Sequence, residues 1–178
     1  MTTDPPREVE TVELRDGARV LLRAIRPDDA PRLQAFHARL SPESIYLRWL
    51  SAHATLTDEE AEALSRVDYR ERMAFVAVWP PAGPETIIGV ARYALIPGEG
   101  PGVAEAAVVV ADEFQQRGLG TRLLLRLIAY ARAHGITTWV SEISAANARM
   151  LRFIQRGGLP TTKRLEGGSW QVRIDLNG

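Results

Sequence analysis

The chain is 178 residues long, with 22 basic and 22 acidic side chains and a formal net charge of zero, a length that holds one domain with a substantial core and excludes two of ordinary size. The charge balance argues against general binding of nucleic acid or of anionic membrane. The absence of cysteine excludes disulfides, thiolate metal sites and a cysteine nucleophile, and fits a reducing, cytoplasmic setting.

Residues 1–8 read as a disordered lead with no basic-then-apolar signal segment, and no apolar run approaches a membrane span. Val9–Leu14 and Ala18–Ala24 flank Asp16-Gly17, a strong hairpin signal. Arg26-Pro27-Asp28-Asp29 opens a helix reaching about Leu40, with Ala30, Leu33, Phe36, Ala38 and Leu40 as its apolar positions. Ser41-Pro42 starts a second helix, with Ser41 as cap and Pro42 at its first position. Thr57-Asp58-Glu59-Glu60 has capping-box spacing and starts a third, to about Val67. Met73–Trp79, Thr86–Leu95 and Val103–Ala111 are strand-like runs separated by Pro/Gly loops, which predicts an antiparallel meander. Gly118–His134 carries an apolar stripe of Leu119, Leu123, Leu124, Leu127, Ile128 and Ala131 at helical spacing. Thr137–Ile143 is a strand, Asn147–Arg156 a helix, and Leu159–Leu165 with Ser169–Leu176 a final strand pair. The order predicts a single α/β (α+β) domain over residues 9–178, with a central, mixed, mostly antiparallel sheet flanked by helices.

The run Val103–Thr121 concentrates the chemistry. An apolar strand leads into Gln115-Gln116-Arg117-Gly118-Leu119-Gly120-Thr121, and a long helix starts there. Unpaired N–H groups and the positive end of the helix dipole favour an anion at such a place, and glycines let backbone approach it closely. A Walker loop would need Gly-Lys-Ser/Thr, which the chain lacks, and a dinucleotide fingerprint would need Gly or Ala where Leu123 stands. The same strand carries one carboxylate, Glu105, between Ala104 and Ala106.

The string from Gln115 to Gly120 resembles motif A of the GNAT acetyltransferases, Gln/Arg-x-x-Gly-x-Gly/Ala. The stretch Ser144–Leu159, where Asn147 opens a helix, resembles the motif that follows it in that family, and the likeness in element order extends over about residues 18–176. The resemblance implies that the amides of Gln116, Arg117, Gly118, Leu119, Gly120 and Thr121 hold the pyrophosphate of acetyl-CoA as co-substrate, with Gln115 and Asn147 as further cofactor-side residues. It implies that the pantetheine arm pairs with strand backbone at Val108, Val109 and Val110, and that Val109 or Val110 faces the developing oxyanion. Many members have Gly where this chain has Gln116. No metal is implied, and His37, His53 and His134 lack metal-ligand spacing.

Acetyl transfer to an amine needs a neutral nucleophile, and a lysine ammonium with a pKa near 10.4 must lose a proton first. Glu105 is the candidate base; apolar neighbours would raise its pKa, and its offset from the Gly loop resembles that of the catalytic Glu of bacterial protein-lysine acetyltransferases. The bland alternative is a carboxylate on a solvated strand face. Glu142, on the next strand, is the reserve. The Tyr acid that often assists the thiolate in this family would fall at Ile154, so it is absent. With neither cysteine nor a Gly-x-Ser-x-Gly elbow, direct transfer in a ternary complex is expected.

The segments around Leu40–Trp49 and Asp68–Val78 resemble Pat-type protein-lysine acetyltransferases, which implies a protein lysine as acceptor. In those proteins a regulatory domain is often fused to the transferase domain; this chain has no length for a cyclic-nucleotide module, so direct control by such a ligand is not expected. Tyr46, Arg48 and Trp49 either line the acceptor site or pack as an aromatic face with Arg48 solvated. Two other readings remain open: acetylation of a small amine, and a non-catalytic acyl-CoA-sensing or partner-binding domain.

Overall fold

A computed structural model describes residues 6–80 and 82–178; of the expected disordered lead, residues 1–5 lie outside these. Among the described residues, eight strands form one sheet: β1 (Glu10–Glu13), β2 (Arg19–Ala24), β3 (Arg72–Trp79), β4 (Thr86–Leu95), β5 (Val103–Val110), β6 (Thr138–Ser144), β7 (Thr161–Glu166) and β8 (Ser169–Asp175). The spatial order is β1-β2-β3-β4-β5-β6-β8-β7. Every neighbouring pair is antiparallel except β5 and β6. The helices are α1 (Ala30–Ala38), α2 (Pro42–Trp49), α3 (Asp58–Ser65), α4 (Leu119–Ala133) and α5 (Ala148–Gly157).

The local signals do what their chemistry dictates. The Ser41 side chain accepts from the Ser44 amide at 3.2 Å and caps α2 behind Pro42. Thr57 and Glu60 exchange side-chain-to-amide bonds of 3.2 and 2.9 Å, completing the capping box of α3. The first helix is shorter than its apolar spacing predicts: residues 27–29 form a 3-10 turn, and α1 stops at Ala38 because Ser41 already caps the next helix.

Strands β3 and β4 are the centre of the core. β3 is buried from Met73 through Val78, on both faces. The α4 stripe covers one face of β3, β4 and β5; α1 covers the other over β4, with α3 packed on α1 and α2 against β5. Contact with α4 is close at Gly89: a Cβ there would lie 2.9 Å from Leu123 Cδ1. This seats the N-terminus of α4 beside the end of β5.

A buried ion cluster ties β2 to the turn before α1. Arg23 grips Asp29 with bonds of 2.7 and 2.8 Å and also reaches Glu85 at 2.6 Å. Burial pushes the Asp29 carboxyl up, but the hydrogen bonds and charge of Arg23, then the Arg26 amide and Arg32, outweigh it and hold the carboxyl below its ordinary value. A carboxylate depressed in the folded state contributes stability that is full above its unfolded pKa, near 3.9, and lost as pH falls through the folded value. Melting temperature should therefore fall on acidification below about pH 4. Asp29→Asn should lower it at pH 7 and make the acid limb shallower, as read by circular dichroism.

Candidate active site

The parallel ladder between β5 and β6 is short. It runs through Val103–Thr138, Ala104–Trp139 and Glu105–Val140 and then stops, although both strands continue. Beyond it the strands part, and one side of β5 loses its neighbour.

Which β5 groups face this gap follows from the other ladder. Val110 opposes Gly89 and Val109 opposes Val90, while the Ala111 amide donates to the Ile88 carbonyl at 2.8 Å. In an antiparallel pair, alternate residues turn their N–H and C=O to the partner. Residues 107, 109 and 111 thus bond β4, and 106, 108 and 110 face β6. Two contacts agree: the Ala106 carbonyl accepts from Ser141 Oγ at 2.7 Å, and the Val110 carbonyl accepts from Gln115 Nε2 at 3.0 Å. The open donors are the amides of Val108 and Val110. The backbone of Val109, expected among them, is committed to β4, and its side chain faces α1 and α2.

At the end of β5 the chain makes a 3-10 turn over Asp112–Phe114 and enters the loop. Gln116 has φ 61° and Gly118 φ 90°. The left-handed backbone at Gln116 is a conformation that suits glycine best. The amides of Leu119, Gly120 and Thr121 lie in the first turn of α4, where no carbonyl four residues back is available; the first such bond runs from the Arg122 amide to the Gly118 carbonyl at 3.1 Å. Gly120 has an ordinary φ, and a Cβ on it would meet only Val110 Cγ2 at 3.6 Å, an ordinary contact. Neither conformation nor the chain's own packing asks for glycine there, so the space fits an anion drawn close to the helix end.

Side chains around the loop are largely committed. Gln115 bridges Ser44 Oγ and the Val110 carbonyl and accepts from Arg149 at 2.5 Å. Arg117 pairs with Asp16 of the first hairpin at 2.6 Å and lies over Phe114. It offers the loop its backbone rather than its guanidinium. Asp112 accepts from the Ser41 amide, Ser41 Oγ and Ser44 Oγ at 2.9, 2.7 and 2.8 Å, tying α2 to the turn before the loop. Asn147 caps α5, accepting from the Met150 amide at 3.1 Å.

Glu105 stands on the α1–α3 face of β5. The apolar enclosure expected from its sequence neighbours is not there: the pleat turns Ala104 and Ala106 to the α4 face and leaves Glu105 exposed. It lines a cavity of about 280 Å³ with Arg48, Ala63, Leu64, Val67, Arg72, Arg92, Tyr93, Ala94 and Ala107. A smaller recess of about 40 Å³ adjoins it, lined in part by Trp49, Val90 and Val109. Of the three residues expected on the acceptor side, Arg48 and Trp49 line this space, while Tyr46 is 49% exposed and outside it. Glu142 lies on the same sheet face but exposed, two residues past the point where β6 leaves β5.

Sequence reasoning passed over Arg92, Arg72 and Arg15. Arg92 donates to the Leu64 carbonyl at 2.5 Å. Burial, then the charges of Arg48 and Arg72, push its pKa down to about 9. Burial likewise lowers Arg48, against the attraction of Glu105. The available signal was an arginine inside an apolar strand, as visible in Thr86–Leu95 as Glu105 is in its own. Arg15 comes beside the loop from the hairpin, its Nε 3.7 Å from where a Gly118 Cβ would stand.

Comparison with known proteins gives the same reading as the geometry. Residues 33–158 match the family model described as Acetyltransferase (GNAT) family. The chain is 37% identical over 137 residues to acetyltransferase PA5475 of Pseudomonas aeruginosa, covering 77% of this chain and 73% of that one. It is 30% identical over 147 residues to acetyltransferase Pat of Mycolicibacterium smegmatis, covering 83% of this chain but 43% of that longer protein. The crystal structure of the GNAT domain of S. lividans PAT superposes with a TM-score of 0.85 at 28% identity, over 97% of this chain and 99% of that domain. The family model matched over most of the length, and a relative 37% identical over 77% of this chain, make the chain a member of the GNAT family and an acetyltransferase.

Proposed function

We propose that this chain transfers the acetyl group of acetyl-CoA directly to a lysine side-chain amine of a protein, with Glu105 as general base. The observation that carries this is the two-sidedness of β5. Its backbone opens to the gap at Val108 and Val110, while Glu105, on the same strand, opens to the cavity under α2 and α3.

Acetyl-CoA, the co-substrate of the GNAT fold, supplies an activated thioester. The amides of Gln116 to Thr121 and the dipole of α4 would hold its pyrophosphate. The amides of Val108 and Val110 would pair with the pantetheine arm, and one of them would meet the oxygen on which negative charge collects. Asn147 would fix the N-terminus of α5 along the far wall of the gap. Glu105 would take the amine proton directly or through one water. The cavity walls contributed by Ala63, Leu64, Val67, Ala94 and Ala107 suit the four-carbon stem of a lysine. The likeness to Pat proteins supports a protein acceptor.

The test is acetyl-CoA turnover against two acceptor pools, a host protein extract and a panel of small amines, with Glu105→Gln beside the parent. Site-specific lysine acetylation that disappears in the variant is the expected result. Turnover confined to small amines would move the acceptor to metabolites, and tight CoA binding without turnover in either pool would favour an acyl-CoA sensor.

A further inference from the structure

The cavity beside Glu105 carries more positive charge than the fold needs. Three guanidiniums line it, from Arg48 of α2, Arg72 of β3 and Arg92 of β4, against the single carboxylate of Glu105. Arg72 is paired with Asp68 at 3.5 Å, outside the cavity lining. Arg92 has no carboxylate partner among the described residues; its one hydrogen bond goes to a neutral carbonyl, that of Leu64. Arg48 has no ion pair there either and rests on the Trp49 ring at 4.4 Å. Both are partly buried, where an unpaired charge is costly unless something compensates it. Elsewhere the chain does compensate: buried Arg23 is met by two carboxylates.

We infer that the acceptor brings the missing carboxylate: the amine acetylated here stands next to an anionic group, which Arg92 and Arg48 bind while Glu105 faces the amine. This rests on reading the cavity as the acceptor site. In a protein the carboxylate is an Asp or Glu flanking the lysine; in a free amino acid it is the molecule's own. The arrangement is selective in both directions. A guanidinium pair rewards a carboxylate by charge-assisted hydrogen bonds and repels a lysine-rich segment.

The experiment uses peptides with blocked ends and one lysine, flanked by Asp, Ala or Arg, together with free amino acids and their amides. Acetyl transfer and anisotropy of the labelled peptides are measured on the parent, Arg92→Gln, Arg48→Gln and Arg92→Lys, with Glu105→Gln as the catalytic control. Expected is a kcat/KM at least about tenfold higher for Asp-flanked than for Ala-flanked lysine, and lowest for Arg-flanked. The ratio should collapse to within about threefold in either Gln variant, persist in part in Arg92→Lys, and shrink in high salt, while acetyl-CoA affinity holds. Equal use of Asp- and Ala-flanked peptides by the parent, or a preference that survives both Gln variants, overturns the inference. Transfer only to free amino acids over their amides, dependent on Arg92, keeps the carboxylate site and removes the protein acceptor. Binding preference without transfer in any arm keeps it and removes the transfer reading, so the two failures separate.

Discussion

Glu105→Gln should leave acetyl-CoA affinity within about twofold of the parent and lower kcat at neutral pH by roughly 10²–10⁴-fold, the range general-base catalysis supplies. The substitution is nearly isosteric and exposed, so a folding defect is not expected to confuse the result. The amide can still hydrogen-bond a water or an amine, but it cannot take the proton. The defect should depend on pH with a definite sign. Each unit of pH below the amine pKa, about 10.4 for lysine, leaves tenfold less neutral nucleophile. The variant relies on that free fraction alone, so the gap between parent and variant is widest near pH 7 and narrows as pH rises toward the amine pKa. A pH–rate series from 7 to 9.5 with a fixed acceptor peptide measures this. An unchanged kcat across it would remove Glu105 from the mechanism and turn attention to Glu142.

In the proposed reaction, what the exposed Glu105 would contribute is position. It shares β5 with the backbone amides that face the gap, so one rigid strand would set both partners against each other. Arg48 lines the same cavity as Glu105. Removing Arg48 therefore alters the surroundings of the proposed base as well as those of the acceptor, which is why a ratio between acceptors, rather than a bare rate, reports on acceptor recognition.

Elements that announce themselves locally were legible in the chain. The capping of α2 by Ser41, the reciprocal Thr57–Glu60 pair and the stripe of α4 appear where their spacing puts them, because each depends on residues within one or two turns. The loop from Gln115 to Thr121 was legible for the same reason, as a strand end and a helix start meeting at glycines. The parting of β5 from β6 was not, since nothing in either strand states where a parallel neighbour stops. Nor was the direction of each β5 amide, which depends on register against β4; the family resemblance spread the expected contacts over Val108, Val109 and Val110, and the ladder commits the Val109 backbone to β4. The setting of Glu105 failed for a related reason. Its adjacent alanines are apolar, but a strand sends neighbours to opposite faces, and the residues that surround Glu105 come from α2, α3, β3 and β4.

The loop before α4, proposed to hold the cofactor phosphates, allows a cleaner experiment at Gly120 than at Gly118. Gly118 has φ 90°, where any L side chain is strained, so Gly118→Asp combines a fold penalty of roughly 1–2 kcal/mol with any effect on binding. It also places a carboxylate near Arg15, which would partly neutralise it. Gly120 has neither complication. Its backbone is ordinary and a Cβ there meets one methyl at van der Waals distance. Replacing glycine inside a helix gains up to about 1 kcal/mol, and an acidic side chain in the first turn complements the dipole. Gly120→Asp should therefore melt at or above the parent temperature while acetyl-CoA affinity falls by at least about a hundredfold, because the new carboxylate occupies the anion's place with the anion's sign. Calorimetric titration with acetyl-CoA, beside a melting curve of each protein, reads both quantities. Stability kept and affinity lost assigns the first turn of α4 to the cofactor phosphates. Affinity kept would mean that the glycine serves nothing bound there, and that the positive end of α4 is only the start of a helix.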